Sequence, residues 1–299
     1  MKMIFNSLMF FGSFLIAKAQ GSINTVNNEA IIKGDYAVFT DVGDVEMTNK
    51  SIQMNLYKTY TSDHLQFAIS YANQSRRFKD MHESSVFNSL ENSYSIGFKT
   101  AYTKTHKDNW STSLSIEPQI NSTFKTSLNS NDFMLGGSLT ISKHWNTINL
   151  DRKAEMAFGL RYDTLFGKPI LYPVLSYTHF INTDWNYTVG FPFSSVNYSI
   201  NENQIISALI GPEGYYTNNS DVISINGTDS FSNSKLEFRS LFMGMDYQLK
   251  FDGNWTTNFG ISYVPNPELR VLDTNDNEIY SFGSEESFRI NFGVKYKLN

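Results

Sequence analysis

The chain contains no cysteine. Disulfide staples, thiolate metal sites and a cysteine nucleophile are therefore excluded, as is a lipoprotein anchor, which needs a cysteine just after its signal. Past Ile16 there is no run of about 18 apolar residues, so no stretch reads as a membrane-spanning helix. Basic residues are the minority, 24 Lys and Arg against 29 Asp and Glu. That balance argues against a nucleic-acid binder, which would carry a basic patch. No G-x-S-x-G occurs, and no Lys-Ser/Thr follows Gly136-Gly137, Gly211 or Gly214, so neither a serine-hydrolase elbow nor a phosphate-cradling loop is present. Helical 3.6-residue periodicity is missing from every window past the N-terminus. No prosthetic group or metal is implied.

What the chain does have is alternation and aromatic residues. Phe, Tyr and Trp make up 15% of it. In the closing stretch Ser287 to Asn299, Phe288, Ile290, Phe292, Val294, Tyr296 and Leu298 alternate with Arg289, Asn291, Gly293, Lys295 and Lys297. Strand side chains point alternately to opposite faces, so this segment has one aromatic-rich apolar face and one polar face. Such a closing strand fits an outer-membrane β-barrel, with lipid on one side and a wet lumen on the other. Similar windows recur: Asp35–Val42, Ser51–Tyr60, His64–Phe78, Glu91–Lys104, Trp110–Thr123, Asp132–Trp145, Ala154–Phe166, Pro169–Asn182, Trp185–Gly190, Val196–Ile200, Asn203–Thr217, Lys235–Lys250 and Trp255–Pro265. The fold class expected is all-β: a transmembrane, antiparallel, up-and-down barrel of 12–14 strands. Closure satisfies every backbone donor and acceptor without water, which is why the pattern suits lipid.

The N-terminus reads as an export signal. Lys2 supplies the positive region, Ile4 to Ile16 the apolar stretch, and Ala17-Lys18-Ala19 an A-x-A cleavage site. The expected organisation is a signal peptide over 1–19, a periplasmic lead over 20–34 and the barrel over 35–299, placed in the cell outer membrane after Sec-dependent export. Without Lys2 and Lys18, 22 basic residues face 29 acidic ones.

Loop lengths give the orientation. Outer-membrane barrels have short periplasmic turns and long outer loops. Counting back from the closing strand, Asn266–Glu286 is outer, Asp252–Asn254 periplasmic, Asn218–Ser234 outer and Asn201–Glu202 periplasmic. The alternation holds only if the chain reverses near Phe191-Pro192-Phe193-Ser194, where the apolar phase also slips by one. Trp110, Trp145, Trp185 and Trp255 then all stand beside periplasmic turns, as an interfacial aromatic belt would. Pro212-Glu-Gly reads as the end of a strand, and the strand glycines as bends, bulges or points of close approach.

The run Tyr162-Asp-Thr-Leu-Phe-Gly-Lys-Pro-Ile-Leu-Tyr-Pro-Val-Leu-Ser-Tyr177, with Trp185, Gly-Phe-Pro-Phe193 and Tyr198-Ser-Ile-Asn-Glu202, resembles a family of Bacteroidetes outer-membrane barrels of unknown function. The likeness spans Asp35 to Asn299 and is most specific between Phe158 and Gly214. It implies the fold and the compartment, and no activity.

Candidate function rests on inward charges: Lys99, Glu117, Glu155, Arg161, Asp163, Asp246, Arg289 and Lys295, all in the polar phase of their strands. Facing lipid at mid-membrane would cost about 2–4 kcal/mol for Lys or Arg, so they must turn inward. They would form either a charge-selective constriction or an ion-pair network filling a narrow lumen. Their mixed signs weigh toward the network. The histidines (His64, His82, His106, His144 and His179) stand at strand ends or in a loop, apart from His179, and pair with no serine context, so an enzyme is not expected. Asp273, Asn275 and Asn277 match the first oxygen positions of a Ca²⁺ loop, but Glu278 replaces the glycine and Ser284 the final glutamate. An acidic, solvated loop is expected there. The function expected is passive passage or binding of a small solute, with surface adhesion through the outer loops as the alternative and an outer-membrane hydrolase a distant third. Expected partners are outer-membrane lipid, lipopolysaccharide and the barrel-assembly machinery, which would read the closing strand.

Overall fold

The computed structural model describes residues 31–60, 63–79, 84–147, 150–225 and 229–297. The expected signal peptide, most of the expected lead, His82 and Leu298-Asn299 lie outside these residues. Eighteen strands follow in chain order: β1 (Ile32–Val42), β2 (Val45–Tyr60), β3 (Asp63–Phe78), β4 (Asn92–Thr105), β5 (Trp110–Ser122), β6 (Phe133–Thr147), β7 (Leu150–Asp163), β8 (Ile170–Phe180), β9 (Trp185–Phe191), β10 (Ser194–Asn201), β11 (Gln204–Asn219), β12 (Ile223–Ile225), β13 (Asp229–Phe231), β14 (Ser234–Lys250), β15 (Trp255–Val264), β16 (Glu268–Leu272), β17 (Glu278–Ser281) and β18 (Ser287–Tyr296). Among the described residues, no helix is long and apolar enough to cross a membrane.

Fourteen of these strands close a ring. β1 to β11 pair in sequence, β11 joins β14, β14 joins β15, β15 joins β18, and β18 returns to β1. The closing seam runs from Ile32↔Tyr296 to Phe39↔Arg289, all antiparallel. An even number of strands puts both ends of the ring-forming chain at one end of the barrel, here called the terminal end; the other is the loop end.

The two faces are chemically opposite. Leu56, Ile69, Leu135, Leu171, Val189, Phe259 and Phe288 are among many large apolar side chains left exposed on the outside. Inside, Asn49, Asn55, Ser95, Ser115, Gln119, Asn258 and Asn291 are buried. A soluble protein would bury the first set and expose the second. Hydroxyl pairs bridge neighbouring strands on the inner wall: Ser111 with Ser142 at 2.7 Å, Ser115 with Ser138 at 2.7 Å, and Thr178 with Thr188 at 2.8 Å. These pairs spend each other's hydrogen-bonding capacity where alternation has put polar groups inward.

Boundaries mostly follow the alternation, although β7 begins at Leu150, ahead of Ala154, and three further differences bear on the fold. The barrel begins at Ile32, ahead of Asp35, and β2 begins at Val45, because a tight turn at Gly43-Asp44 makes β1 and β2 one hairpin. Gly43 holds φ +58° there, a conformation glycine adopts without steric cost. β7 stops at Asp163, so Thr164 to Phe166 form a turn rather than strand. Pro212-Glu-Gly does not end a strand: β11 runs through it to Asn219. Proline is tolerated because β10 reaches only Ser194↔Ile210, so at Pro212 β11 has a partner strand on the β14 side alone. A proline on an unpaired edge loses no ladder bond.

The reversal at Pro192 is present: β9 ends at Phe191 and β10 begins at Ser194. Two tryptophan turns share one construction. Asn182 Oδ1 accepts from the backbone of Asp184 and Trp185 at 2.9 and 2.8 Å, and Asp252 Oδ1 from Asn254 and Trp255 at 2.6 and 2.7 Å.

The apolar core lies where an open channel would have its mouth. Phe39, Phe87, Phe238, Phe242, Leu269 and Phe282 pack together at the loop end. Burying each such side chain stabilises by about 1.5–3 kcal/mol, so the loops here are folded structure.

Candidate functional site: the lumen and its cap

β11 carries the feature that shapes the lumen. Its first half alternates as a barrel wall does, but from Gly211 to Asn219 seven of nine residues are buried, on both faces. β14 matches it: Ser234 to Phe238 are all buried. This stretch of the hairpin folds inward across the mouth. Asn218 reaches β5, pairing with Ser122 in parallel, and the backbone N–H of Thr123 donates to the carbonyl of Asn218 at 3.1 Å. On its other side β14 takes up β16 from Arg239↔Glu268 to Lys235↔Leu272, and β17 follows β16. A small sheet thus lies over the lumen as a cap.

Polar side chains fasten it. Arg76 on β3 is buried and donates to the carbonyl of Leu90 at 2.6 Å, to the Tyr215 hydroxyl at 3.2 Å and to Ser93 Oγ. Asn218 Nδ2 donates to Asp132 at 2.9 Å, and Lys235 Nζ donates to Asn218 Oδ1 at 2.8 Å. Asn219 accepts from Thr123 Oγ1 at 2.9 Å. Glu237 is buried against Arg270 at 2.6 Å and accepts from the backbone of Lys168 at 3.1 Å. That last bond places the Phe166-Gly-Lys-Pro169 stretch. A Cβ on Gly214 would meet Gly167 N at 2.5 Å and the carbonyl oxygens of Leu165 and Thr164 at 2.7 and 2.8 Å. The close approach read from this glycine is therefore to the turn after β7.

Beneath the cap is a cavity of about 510 Å³. It runs from His64, Phe180 and Asn186 near the terminal end to Phe193 and Leu209 under the cap, and its wall is mostly Ser, Thr, Asn and Gln. A volume of about 300–1,000 Å³ is usual for small-molecule sites.

The structure divides the eight inward charges into groups. Lys99, Glu155 and Arg161 line the cavity. Glu117 accepts from Gln119 Nε2 at 2.7 Å. Asp163 pairs with Arg161 and accepts from the Tyr172 hydroxyl at 3.0 Å and the Leu165 backbone at 2.9 Å. Across the lumen, Asp246 accepts from Asn291 at 3.1 Å and Lys295 donates to Gln248 at 3.4 Å. Arg289 faces Glu213 at 3.4 Å, with its guanidinium 5.1 Å from the Phe242 ring centre. No single ring of one sign gathers these side chains. Sequence reasoning missed Arg76, Glu213, Glu237 and Lys235. The inward phase of β3 and β11 already marks Arg76 and Glu213. The reading of Pro212-Glu-Gly as a strand end, although inside the Asn203–Thr217 window, hid the latter.

The tryptophans share the terminal end. Trp145, Trp185 and Trp255 are exposed there; Trp185 stacks on Tyr198 at 4.5 Å, Trp255 lies 4.8 Å from Tyr296, and Lys143 sits 5.2 Å over Trp110. His179 neighbours the rings of Tyr177 and Tyr187, and His64 bonds Thr59 at 3.1 Å.

Asp273 serves its own turn. Its Oδ1 accepts from the backbone of Asn275 at 2.7 Å and Asn277 at 2.9 Å, and Oδ2 from Asn277 Nδ2 at 2.9 Å. Among the described residues no group of three acidic or histidine side chains could hold a metal. Those bonds from Asn277 and Asn275, with Lys168 nearby, hold the Asp273 carboxyl below its ordinary value. A depressed carboxylate stabilises the fold above its unfolded pKa, and that contribution fades as pH falls through the lower, folded value. Amide-exchange protection at Asn275 and Asn277 should therefore persist at pH 4 and be lost only in stronger acid, whereas Asp273→Ala should remove it at every pH.

A family model described as a domain of unknown function, DUF6268, matches residues 28–298. No curated protein sequence matches the chain significantly. Among solved structures, the chain is similar over 88% of its length to the NanC porin (9% identity, 99% of that chain, TM-score 0.41). It is similar over 89% to the KdgM porin (10% identity, 99% of that chain, TM-score 0.37). It is also similar over 92% to the translocator domain of the autotransporter NalP from Neisseria meningitidis (12% identity, 90% of that chain, TM-score 0.31). Superpositions this loose say nothing about cargo.

Proposed function

The chain belongs to the DUF6268 family, and we propose that it is an outer-membrane barrel that holds a small solute in its lumen and passes it only when the cap yields. The observation that carries this reading is the polar cavity of about 510 Å³ beneath a packed mouth. An ordinary channel would need no apolar core at its loop end; a gated or binding lumen would. The exposed apolar face fits lipid, and the tryptophans at the terminal end fit the periplasmic interface. On this reading the signal over 1–19 exports the chain and the barrel-assembly machinery reads β18. Lys99, Glu155 and Arg161 set the charge preference of the cavity, and the other inward charges hold the walls and the cap.

Planar-bilayer conductance of the refolded protein tests it. The unaltered barrel should show rare, small steps. Lys99→Glu should move ion selectivity several-fold toward cations, and Glu155→Gln toward anions. An inserted barrel whose currents ignore both substitutions would remove the cavity from the conduction path.

A second reading has its own support. The cap presents an ordered outer surface, with β16 and β17 extending its sheet, as a protein acting by surface contact would require.

A further inference from the structure

The lining of the cavity alternates along each strand, as a barrel wall should, except at one place. On β8 every second residue lines it, from Val174 to Phe180. At the β9–β10 hairpin, consecutive residues from Phe191 to Ser195 do so, and on β11 both Leu209 and Ile210. Phe191, Ser194 and Ile210 stand in the outward phase of their strands, because neighbours on a strand face opposite sides. Phe191 is nevertheless 44% exposed and Ile210 40% exposed. Each residue borders the cavity and the outer surface at once, so the wall here is thin, with Phe193 packed behind it against Leu165, Tyr172 and Val174.

Strand length is the cause. β9 has 7 residues and β10 has 8, against 16 for β11. Pairing of β8 with β9 stops at Leu175↔Phe191, and pairing of β10 with β11 at Ser194↔Ile210. Beyond those rungs no strand stands between the outer part of β8 and the inward half of β11. Aromatic side chains fill the space. Phe166 stacks on Phe191 with ring centres 5.6 Å apart, and Tyr172 meets Phe166 at 5.0 Å and Phe191 at 6.3 Å. A ladder of backbone bonds opens only at high cost, whereas a ring can turn about its side-chain torsions on a much faster timescale.

We propose that this aromatic seal is a lateral window, and that a single-chain amphiphile moves through it from the bilayer into the cavity. The proposal rests on the reading of the lumen as a binding site and names its ligand class. Three observations favour such a ligand over a water-borne one. The loop end is closed by the cap. The surface around the window is apolar, with Leu171 63% and Val196 45% exposed. The cavity itself is two-sided: Phe191, Phe193 and Leu209 lie next to the window, while hydroxyls and charges line the wall beyond them. An alkyl chain fits the first region and a hydrogen-bonding head the second.

The native chain has no thiol, which makes a labelling test clean. Ser176→Cys places one on the cavity wall of β8, and Ser262→Cys places a control on the inner face of β15, which does not line the cavity. The full barrel in liposomes is exposed to N-hexadecylmaleimide, confined to the bilayer, or to a sulfonated, water-soluble maleimide. The expected result is alkyl labelling of Ser176→Cys and not of the control. Phe191→Ala should speed it about tenfold, which corresponds to a barrier lower by about 1.4 kcal/mol. Ile210→Ala gives the same test should Phe191→Ala fail to fold by gel mobility. Labelling by the sulfonated reagent alone would overturn the window and leave the solute-binding lumen standing. Alkyl labelling indifferent to both substitutions would also overturn the window. Silence with both reagents would overturn window and binding lumen together.

Discussion

Replacing Arg76 with leucine should turn a nearly silent barrel into one that conducts. Arg76 sits on the fixed wall of β3 and holds two separate pieces of the mouth: Leu90, at the end of the short 3-10 turn Ser84–Leu90, and Tyr215, on the inward half of β11. Its guanidinium also lies 5.4 Å from the Tyr215 ring centre. Leucine fills part of the volume but donates nothing, so three buried acceptors lose their partner. A hydrogen bond from a charged group contributes about 1.5–3 kcal/mol, so losing the set should cost the cap on the order of 3 kcal/mol or more. The ring's own ladders are untouched, so strand content by circular dichroism should stay the same while channel openings in a bilayer become frequent. If the substituted barrel inserts and remains as quiet as the original, the cap is not what closes it.

Glu213→Ala should be the most damaging single change inside the lumen. Glu213 lies where β11 turns inward, and it reaches Arg289 on β18 at 3.4 Å and Asn49 on β2 at 3.4 Å. Both charged side chains are nearly fully buried. Taking away one member of a buried pair strands the other, at a cost of about 3–5 kcal/mol. Replacing both by apolar groups of similar size removes the stranded charge and is commonly close to neutral. Glu213→Leu with Arg289→Met should therefore recover most of the loss in urea unfolding. Two single losses that simply add in the double variant would mean that the two groups do not communicate.

How much of this was legible in the sequence depends on the residue. Alternation alone placed most of the ring strands, because an apolar outer face and a polar inner face leave a period of two in nearly every wall segment. The reversal at Phe191-Pro192 was legible through parity: loop lengths could alternate only if the chain turned there. The glycines were legible as close approaches, although not what approached them. The cap was not legible. Asn218–Ser234 and Asn266–Glu286 read as long outer loops, yet Asn218, Asn219 and Leu269 are buried and carry the cap's contacts. A segment buried on both faces against partners far away in sequence has no period to detect, and a strand that leaves the wall looks in sequence like one that ends. Pro212 misled for this reason. It marks the rung where the neighbouring strand stops, not where its own strand does.

The seam between β1 and β18 has a bearing on when this protein can exist at all. Phe288 donates its backbone N–H to Thr40 Oγ1 across 248 positions of sequence, so the ring's first strand finds one of its two neighbours only after nearly all the rest has been made. Contacts of such long separation are slow to form, because the entropy of closing the intervening chain is lost before any bond repays it. Until then β1 and the newest strand both present bare edges, which are templates for pairing with the wrong chain. Correct pairing therefore favours a chain that stays unpaired until β18 is available to β1. Closing the seam removes both of those bare edges in one step.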